Sequence, residues 1–201
     1  LLIALLCLFL FALLGFLDDY KKVKEKNSKG LSSWTKISYQ ILFASIISIA
    51  LYFYIFESFE LTYIVPFFKE VSLSLGLLFI PISVFIIVGS SNAVNLTDGL
   101  DGLAILPVIL ITAALGLIAW AAGNTIVSDY LYIPYIDGTG ELLVICGALI
   151  GSGIGFLWFN AYPAQIFMGD VGSLSMGAFI ALIAIVAVSY THLRAHETTH
   201  D

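Results

Sequence analysis

Residues 92–104 read NAVNLTDGLDGLA, and their surroundings decide the class of this protein. Two carboxamides, Asn92 and Asn95, and two carboxylates, Asp98 and Asp101, stand in one short run between two long apolar segments. The chain around them is 201 residues long, 60% hydrophobic and 11% charged, with a mean hydropathy of +1.04. A soluble domain is about half apolar and about one quarter charged. The apolar residues here come in blocks close to the roughly 20 residues that cross a bilayer. A charge near a bilayer centre costs about 2.5–3.5 kcal/mol on insertion scales, so a polar run in such a chain sits at a helix end or marks a function.

Working outward, six apolar segments follow, over about residues 1–17, 37–56, 72–89, 103–122, 142–159 and 174–190. None shows a sustained alternation of period two, which makes membrane strands a poor alternative. The expected fold is therefore an all-α polytopic membrane protein with about six transmembrane helices, forming one domain over 1–190. Pro81 and Pro107 fall inside apolar blocks, where neighbouring helices are expected to satisfy the freed carbonyls. Gly147, Gly151 and Gly155 form a ridge of small residues that reads as a close helix–helix contact. Cys7 and Cys146 lie in separate apolar blocks and read as packing residues.

Both ends read as fragment boundaries. The chain opens at Leu1 within an apolar run that lacks the basic start of a signal peptide. The tail, 191–201, turns abruptly polar. His192, His196 and His200 recur there at regular spacing, but the stretch looks foreign and no metal site is expected from it.

Charge sets the orientation. Residues 18–36 hold Lys21, Lys22, Lys24, Lys26, Lys29 and Lys36, most of the 8 Lys and Arg residues in the chain. The positive-inside rule places this loop in the cytoplasm. Parity then puts 57–71 and 123–141 outside, and 90–102 and 160–173 inside. The second outer loop agrees, carrying Asp129, Asp137 and Glu141 but no Lys or Arg. On this reading Asp18 with Asp19, Asp98 with Asp101, and Asp170 all gather on the cytoplasmic side.

The local patterns suggest chemistry. Asn92, Asn95, Asp98 and Asp101 recur every three residues, so on a helix successive members lie about 60° apart and build a polar ridge. Gly99 and Gly102 leave backbone open to a ligand. The Asn95-Leu96-Thr97 sequon is not expected to be glycosylated on the cytoplasmic side. Around Asp170, a helix is expected to begin near Ser173, with Ser173 as its cap and free N–H groups facing an anion. Asp170 would hold a cation beside that anion, and Phe167 offers an aromatic face nearby. Carboxylates, carboxamides, lysines and a helix N-terminus at a membrane surface fit a diphosphate with Mg²⁺, an ion that takes oxygen ligands.

The runs GFLDDYKKVKEKNSKG, NAVNLTDGLDGLA and FNAYPAQIFMGDVGS closely resemble the phospho-N-acetylmuramoyl-pentapeptide transferase (translocase I) family. That family belongs to the polyprenyl-phosphate N-acetyl-hexosamine 1-phosphate transferases. The resemblance runs from Gly15 to Gly177, and YPAQIFMGDVGS favours the muramoyl-pentapeptide branch. It implies a ten-helix membrane fold, often homodimeric, of which the six segments would be the third to eighth helices. The later histidine-rich motif of the family has no counterpart here, and the tail after about Val188 does not match.

The reaction implied is transfer of phospho-MurNAc-pentapeptide from UDP-MurNAc-pentapeptide to undecaprenyl phosphate, yielding lipid I and UMP in a bacterial plasma membrane. By resemblance Asp170 ligates Mg²⁺, and Asp18, Asp19, Asp98 and Asp101 are the other essential carboxylates. Asn92, Asn95 and Asn160 match polar positions near the diphosphate. Phe167 matches the aromatic that packs on uracil, with Gly99, Leu100 and Asp101 near the nucleoside. Lys22 and Lys29 are further candidates for binding the diphosphate. No nucleic-acid partner is expected.

Two steps remain open in the sequence: direct attack by the lipid phosphate, with Asp18 orienting or deprotonating it, or a covalent intermediate on a carboxylate such as Asp98. Direct attack is favoured, because a phosphate monoester is already mostly ionised at pH 7. Two other functions compete. A sibling transferase would use UDP-GlcNAc. An ion-coupled transporter would place carboxylates at segment centres rather than at their ends.

Overall fold

Long apolar runs in a bilayer must satisfy every backbone group internally, and helices do so within a single segment. The computed structural model follows that rule. It describes residues 1–26, 30–56, 62–64, 72–74, 76–133 and 135–189. The fold is all-α, with six helices among the described residues long and apolar enough to cross a membrane. These are α1 (Leu2–Glu25), α2 (Ser33–Phe56), α3 (Phe79–Thr97), α4 (Ile105–Ala122), α6 (Leu142–Asn160) and α7 (Gly169–Ser189). A short α5 (Thr125–Leu131) lies between α4 and α6, and β1 (Thr62–Ile64) pairs antiparallel with β2 (Ser72–Ser74) between α2 and α3.

Helix α7 is the axis of the bundle. Of its spanning window 61% is buried inside the protein, against 22–33% for the other five. It packs against α1, α3 and α4, while α2 lies on α1 and α3, and α6 lies on α4. Phe11, Leu14, Ile47, Ile87, Leu174, Phe179, Leu182 and Ile183 fill the space between them. Outward-facing Phe85, Leu110, Phe53 and Trp158 are largely exposed, as suits an apolar solvent. Lipid tails are as apolar as these side chains, so close packing and interhelical hydrogen bonds hold the helices together. Two glycines permit the closest approaches. A Cβ at Gly15 of α1 would stand 2.5 Å from the Val171 nitrogen, and one at Gly177 would stand 2.6 Å from the Ser90 carbonyl oxygen. Beside Gly177, the Ser90 hydroxyl donates to the Gly177 carbonyl (2.8 Å) and the Ser91 hydroxyl to the Leu174 carbonyl (3.0 Å), lacing α3 to α7.

Several boundaries differ from the hydropathy reading. Helix α1 runs eight residues past its apolar block because Asp18–Glu25 continue the turn, ending at left-handed Lys26. Helix α3 begins at Phe79 and continues through Asn92 and Asn95 to Thr97. Residues 72–74 belong instead to β2. Pro81 and Pro107 are each the third residue of their helix, within the first turn, where the missing N–H has no intrahelical acceptor to lose. The ridge Gly147, Gly151 and Gly155 makes no tight contact among the described residues, where a Cβ at any of the three would meet nothing within 4 Å. The tail 191–201 lies outside the described residues.

The topology gathers the connections at two ends. At one end Gly123 packs against Gly140, and the Tyr54 hydroxyl approaches Gly138. The opposite end collects the polar C-terminal part of α1, the start of α2, the α3–α4 turn, the α6–α7 loop and the N-terminus of α7.

Candidate active site

Helix α1 presents Asp18, Asp19 and Lys22 at i, i+1 and i+4 just beyond its apolar stretch. Asp18 is 3% exposed, yet both of its oxygens are used. Its Oδ1 accepts from the Leu31 backbone N–H at 2.6 Å, and its Oδ2 lies 2.6 Å from the Lys22 ammonium. Gly30, with φ +56°, turns the chain so that Leu31 can reach it. Asp19 accepts from the Val171 N–H through Oδ2 (3.3 Å) and pairs with Lys22 through Oδ1 (3.0 Å).

Asp170 meets this pair from α7. Its Oδ2 lies 2.9 Å from Lys22 and 2.8 Å from Lys36, and its Oδ1 accepts from the Asn95 amide. Ligand atoms of Asp18, Asp19 and Asp170 all fall within 4.8 Å of one another. Three carboxylates thus face two ammonium groups. Oxygen donors at this spacing are the set a hard divalent cation takes. The Lys22 ammonium, touching all three, marks where positive charge is held, so the residues fit such an ion.

The α7 N-terminus differs from the sequence reading. The helix begins at Gly169, where φ is +66°, so Ser173 is a full turn inside rather than its cap. Ser173 donates to the Gly169 carbonyl (2.9 Å) and accepts from Asn95 (2.8 Å). Two of the first N–H groups of the helix are turned to carboxylates of the protein rather than left for a substrate anion. Asp19 takes that of Val171, and Asp98 takes that of Gly169. Carboxylates are favourable there because a helix N-terminus carries partial positive charge. Burial pushes the Asp98 carboxyl above its ordinary range, the charges of Asp170 and Asp19 add to the rise, and the Gly169 hydrogen bond opposes it.

Asn92 and Asp98 do not share one ridge. Helix α3 ends at Thr97, so Asp98 and Asp101 leave the helical series that holds Asn92 and Asn95. Asn92 exchanges hydrogen bonds with Gln40 of α2 (2.8 and 3.3 Å) and donates to the Val88 carbonyl. Asp101 and Asn160 instead lace the α3–α4 turn to the α6–α7 loop. Asp101 accepts from the Ala164 N–H (3.0 Å). Asn160, 2% exposed, accepts from the Gly102 N–H (3.1 Å) and donates to the Ile166 carbonyl (2.8 Å). These two segments carry exposed Leu100 (67%) and Phe167 (62%), and a Cβ at Gly99 would meet open space. Lys29 lies outside the described residues.

Two site residues escaped the sequence reading. In the sequence Lys36 reads only as an orienting charge, and Gln40 falls inside an apolar block. Their spacing of four on one helix was the available signal, because it puts a cation and a carboxamide on one face.

Among the described residues, six helices long and apolar enough to span a bilayer and a carboxylate–lysine cluster at one end of the bundle define a multi-pass membrane protein. Residues 1–188 match the model of glycosyl transferase family 4. The chain belongs to that family, the family of MraY and related polyprenyl-phosphate hexosamine 1-phosphate transferases. It is accordingly a glycosyl-1-phosphate transferase, with a nucleotide-sugar donor and a polyprenyl phosphate acceptor in a membrane. Its family is typically divalent-metal dependent.

Proposed function

We propose that the protein transfers phospho-MurNAc-pentapeptide from UDP-MurNAc-pentapeptide to undecaprenyl phosphate, forming lipid I and UMP, at the cytoplasmic face of a bacterial plasma membrane. The meeting of Asp18, Asp19 and Asp170 within 4.8 Å at one end of the helices carries this reading. A water-borne donor and a lipid acceptor can share a centre only where the bilayer ends. The lysine-rich α1–α2 connection supports a cytoplasmic setting for that end. The run YPAQIFMGDVGS supports the muramoyl-pentapeptide donor over UDP-GlcNAc.

An oxygen of the lipid phosphate attacks the sugar-linked phosphorus of the donor. A new P–O bond forms, the bond to the α-phosphate breaks, and its electron pair leaves with UMP. Asp18, Asp19 and Asp170 would hold Mg²⁺. When bound, the ion supplies charge that relieves repulsion between the two anionic substrates and stabilises the departing phosphate. Lys36 keeps a second positive charge beside Asp170. Phe167 offers its exposed ring to the uracil, and Gly99 leaves backbone for the nucleoside to approach. The acceptor is already mostly ionised at pH 7, so direct attack needs no strong base. Asp18 holds the turn at Leu31 through Oδ1, which leaves Oδ2, the oxygen beside Lys22, to meet a cation.

Exchange of labelled UMP into UDP-MurNAc-pentapeptide, with undecaprenyl phosphate and Mg²⁺ present, tests this. Asp170→Asn should lower the rate at least about 10²-fold, the loss typical of one transition-state charge stabiliser. Unchanged exchange would contradict the role of Asp170, and exchange into UDP-GlcNAc alone would reassign the donor.

A further inference from the structure

The three acidic residues do not face an open space. Each carboxylate spends one oxygen on a fixed partner: Asp18 Oδ1 on the Leu31 N–H, Asp19 Oδ2 on the Val171 N–H, and Asp170 Oδ1 on the Asn95 amide. The remaining oxygen of each points inward, and all three reach the Lys22 ammonium, at 2.6, 3.0 and 2.9 Å. An ammonium has three N–H donors, so this one is saturated by the carboxylates it touches. A divalent cation taking one oxygen from each of these residues needs the same three atoms, and Mg²⁺ binds them at about 2.0–2.1 Å. One place between three oxygens does not hold two cations.

We propose that Lys22 is a resident counter-cation of this centre, displaced when a divalent metal binds and then free to meet the anionic donor. The proposal rests on the metal-dependent reading above. Three features single out Lys22 rather than Lys36. Lys36 touches only Asp170, whereas Lys22 touches all three acids. The Lys22 side chain is 31% exposed and that of Lys36 18%, so Lys22 has the more open way out. Finally, Lys22 sits three and four residues from Asp19 and Asp18 on one helix, so side-chain rotation alone releases it. Without metal, Lys22 keeps three like charges together and the end of α1 docked on α7. With metal, the protein gains the ion and also presents an ammonium that was previously consumed. Metal binding and donor binding are thereby coupled through one side chain.

Mn²⁺ affinity of the purified protein, read by electron paramagnetic resonance without substrates, tests this independently of turnover. Removing the competitor with Lys22→Gln should tighten Mn²⁺ binding at least about fivefold, the lower end of ordinary coupling between two ligands. Lys21→Gln removes the same charge one residue away, from a lysine whose contact is Glu25 at 4.0 Å, and should leave the affinity unchanged. An equal gain in both variants, or none in Lys22→Gln, would overturn the proposal. Amine acetylation of the unaltered protein covers the case in which Lys22→Gln does not fold. Lys22 should become at least about fivefold more reactive when Mn²⁺ saturates, while Lys21 stays constant. Reactivity indifferent to Mn²⁺ would refute displacement. Saturable Mn²⁺ binding without UMP exchange would remove the transferase reading and leave the competition standing; absence of saturable binding would remove both.

Discussion

Gly15→Ala is the smallest change that should disable the centre without touching a polar atom. Gly15 faces the first turn of α7, and an added Cβ would stand 2.5 Å from the Val171 nitrogen and closer still to the Asp170 carbonyl. Both neighbours are backbone and cannot rotate away. Reaching ordinary contact, at 3.4 Å, requires α1 and α7 to separate by about 1 Å, since packed interiors hold no slack. The Asp19–Val171 hydrogen bond, already 3.3 Å long, would then break, and Asp170 would draw back from Asp18 and Asp19. Overpacking costs about 1–3 kcal/mol. The lost hydrogen bond adds about 0.5–1.5 kcal/mol. A displacement of this size costs about 10²-fold in rate at a reacting centre. Gly89→Ala is the control: it lies within α3, its Cβ would meet nothing within 4 Å, and alanine should stabilise the helix by up to about 1 kcal/mol. Thermal unfolding in detergent and UMP exchange measure both quantities. If Gly15→Ala matched Gly89→Ala in stability and rate, the claim that the α1–α7 approach positions the site would be wrong.

Phe167→Ala removes an exposed ring, so unfolding should stay within about 0.5 kcal/mol of the unaltered protein. The KM for the UDP-sugar should rise about 5–150-fold, the equivalent of about 1–3 kcal/mol of base stacking; an unchanged KM would exclude the uracil contact. Asn160→Ala should do the reverse in stability. It strands the Gly102 N–H and the Ile166 carbonyl, and lowers stability by about 1–3 kcal/mol in a thermal or denaturant melt. A melt identical to that of the unaltered protein would show that Asn160 does not hold the two loops together.

Hydropathy alone made the six spanning helices legible. Backbone groups in lipid leave few alternatives, and a run of apolar residues is a local property that needs no partner. The same economy made the acidic positions stand out, because a carboxylate is rarely tolerated in so apolar a chain without reason. Loop parity and motif point Asp18, Asp19 and Asp170 to one side of the membrane, and in the fold their ligand atoms lie within 4.8 Å of one another.

Tertiary structure decided how that centre is wired. Nothing local indicates that Lys22 bridges three acids, that Lys36 and Gln40 turn inward, or that Asp98 and Asp19 occupy the N-terminus of α7. Asn160 and Asp101 look like ligand-binding residues in sequence, and the fold uses them to tie two loops. The glycine ridge of α6 follows a packing pattern yet meets no neighbour among the described residues. Such outcomes depend on how far each helix is rotated and how closely it is approached. Those are set by contacts such as Gly15 on Val171 and Gly177 on Ser90, between residues far apart in the chain. Composition determines that a segment lies in the bilayer; only the crossing of one helix on another determines which of its atoms meet.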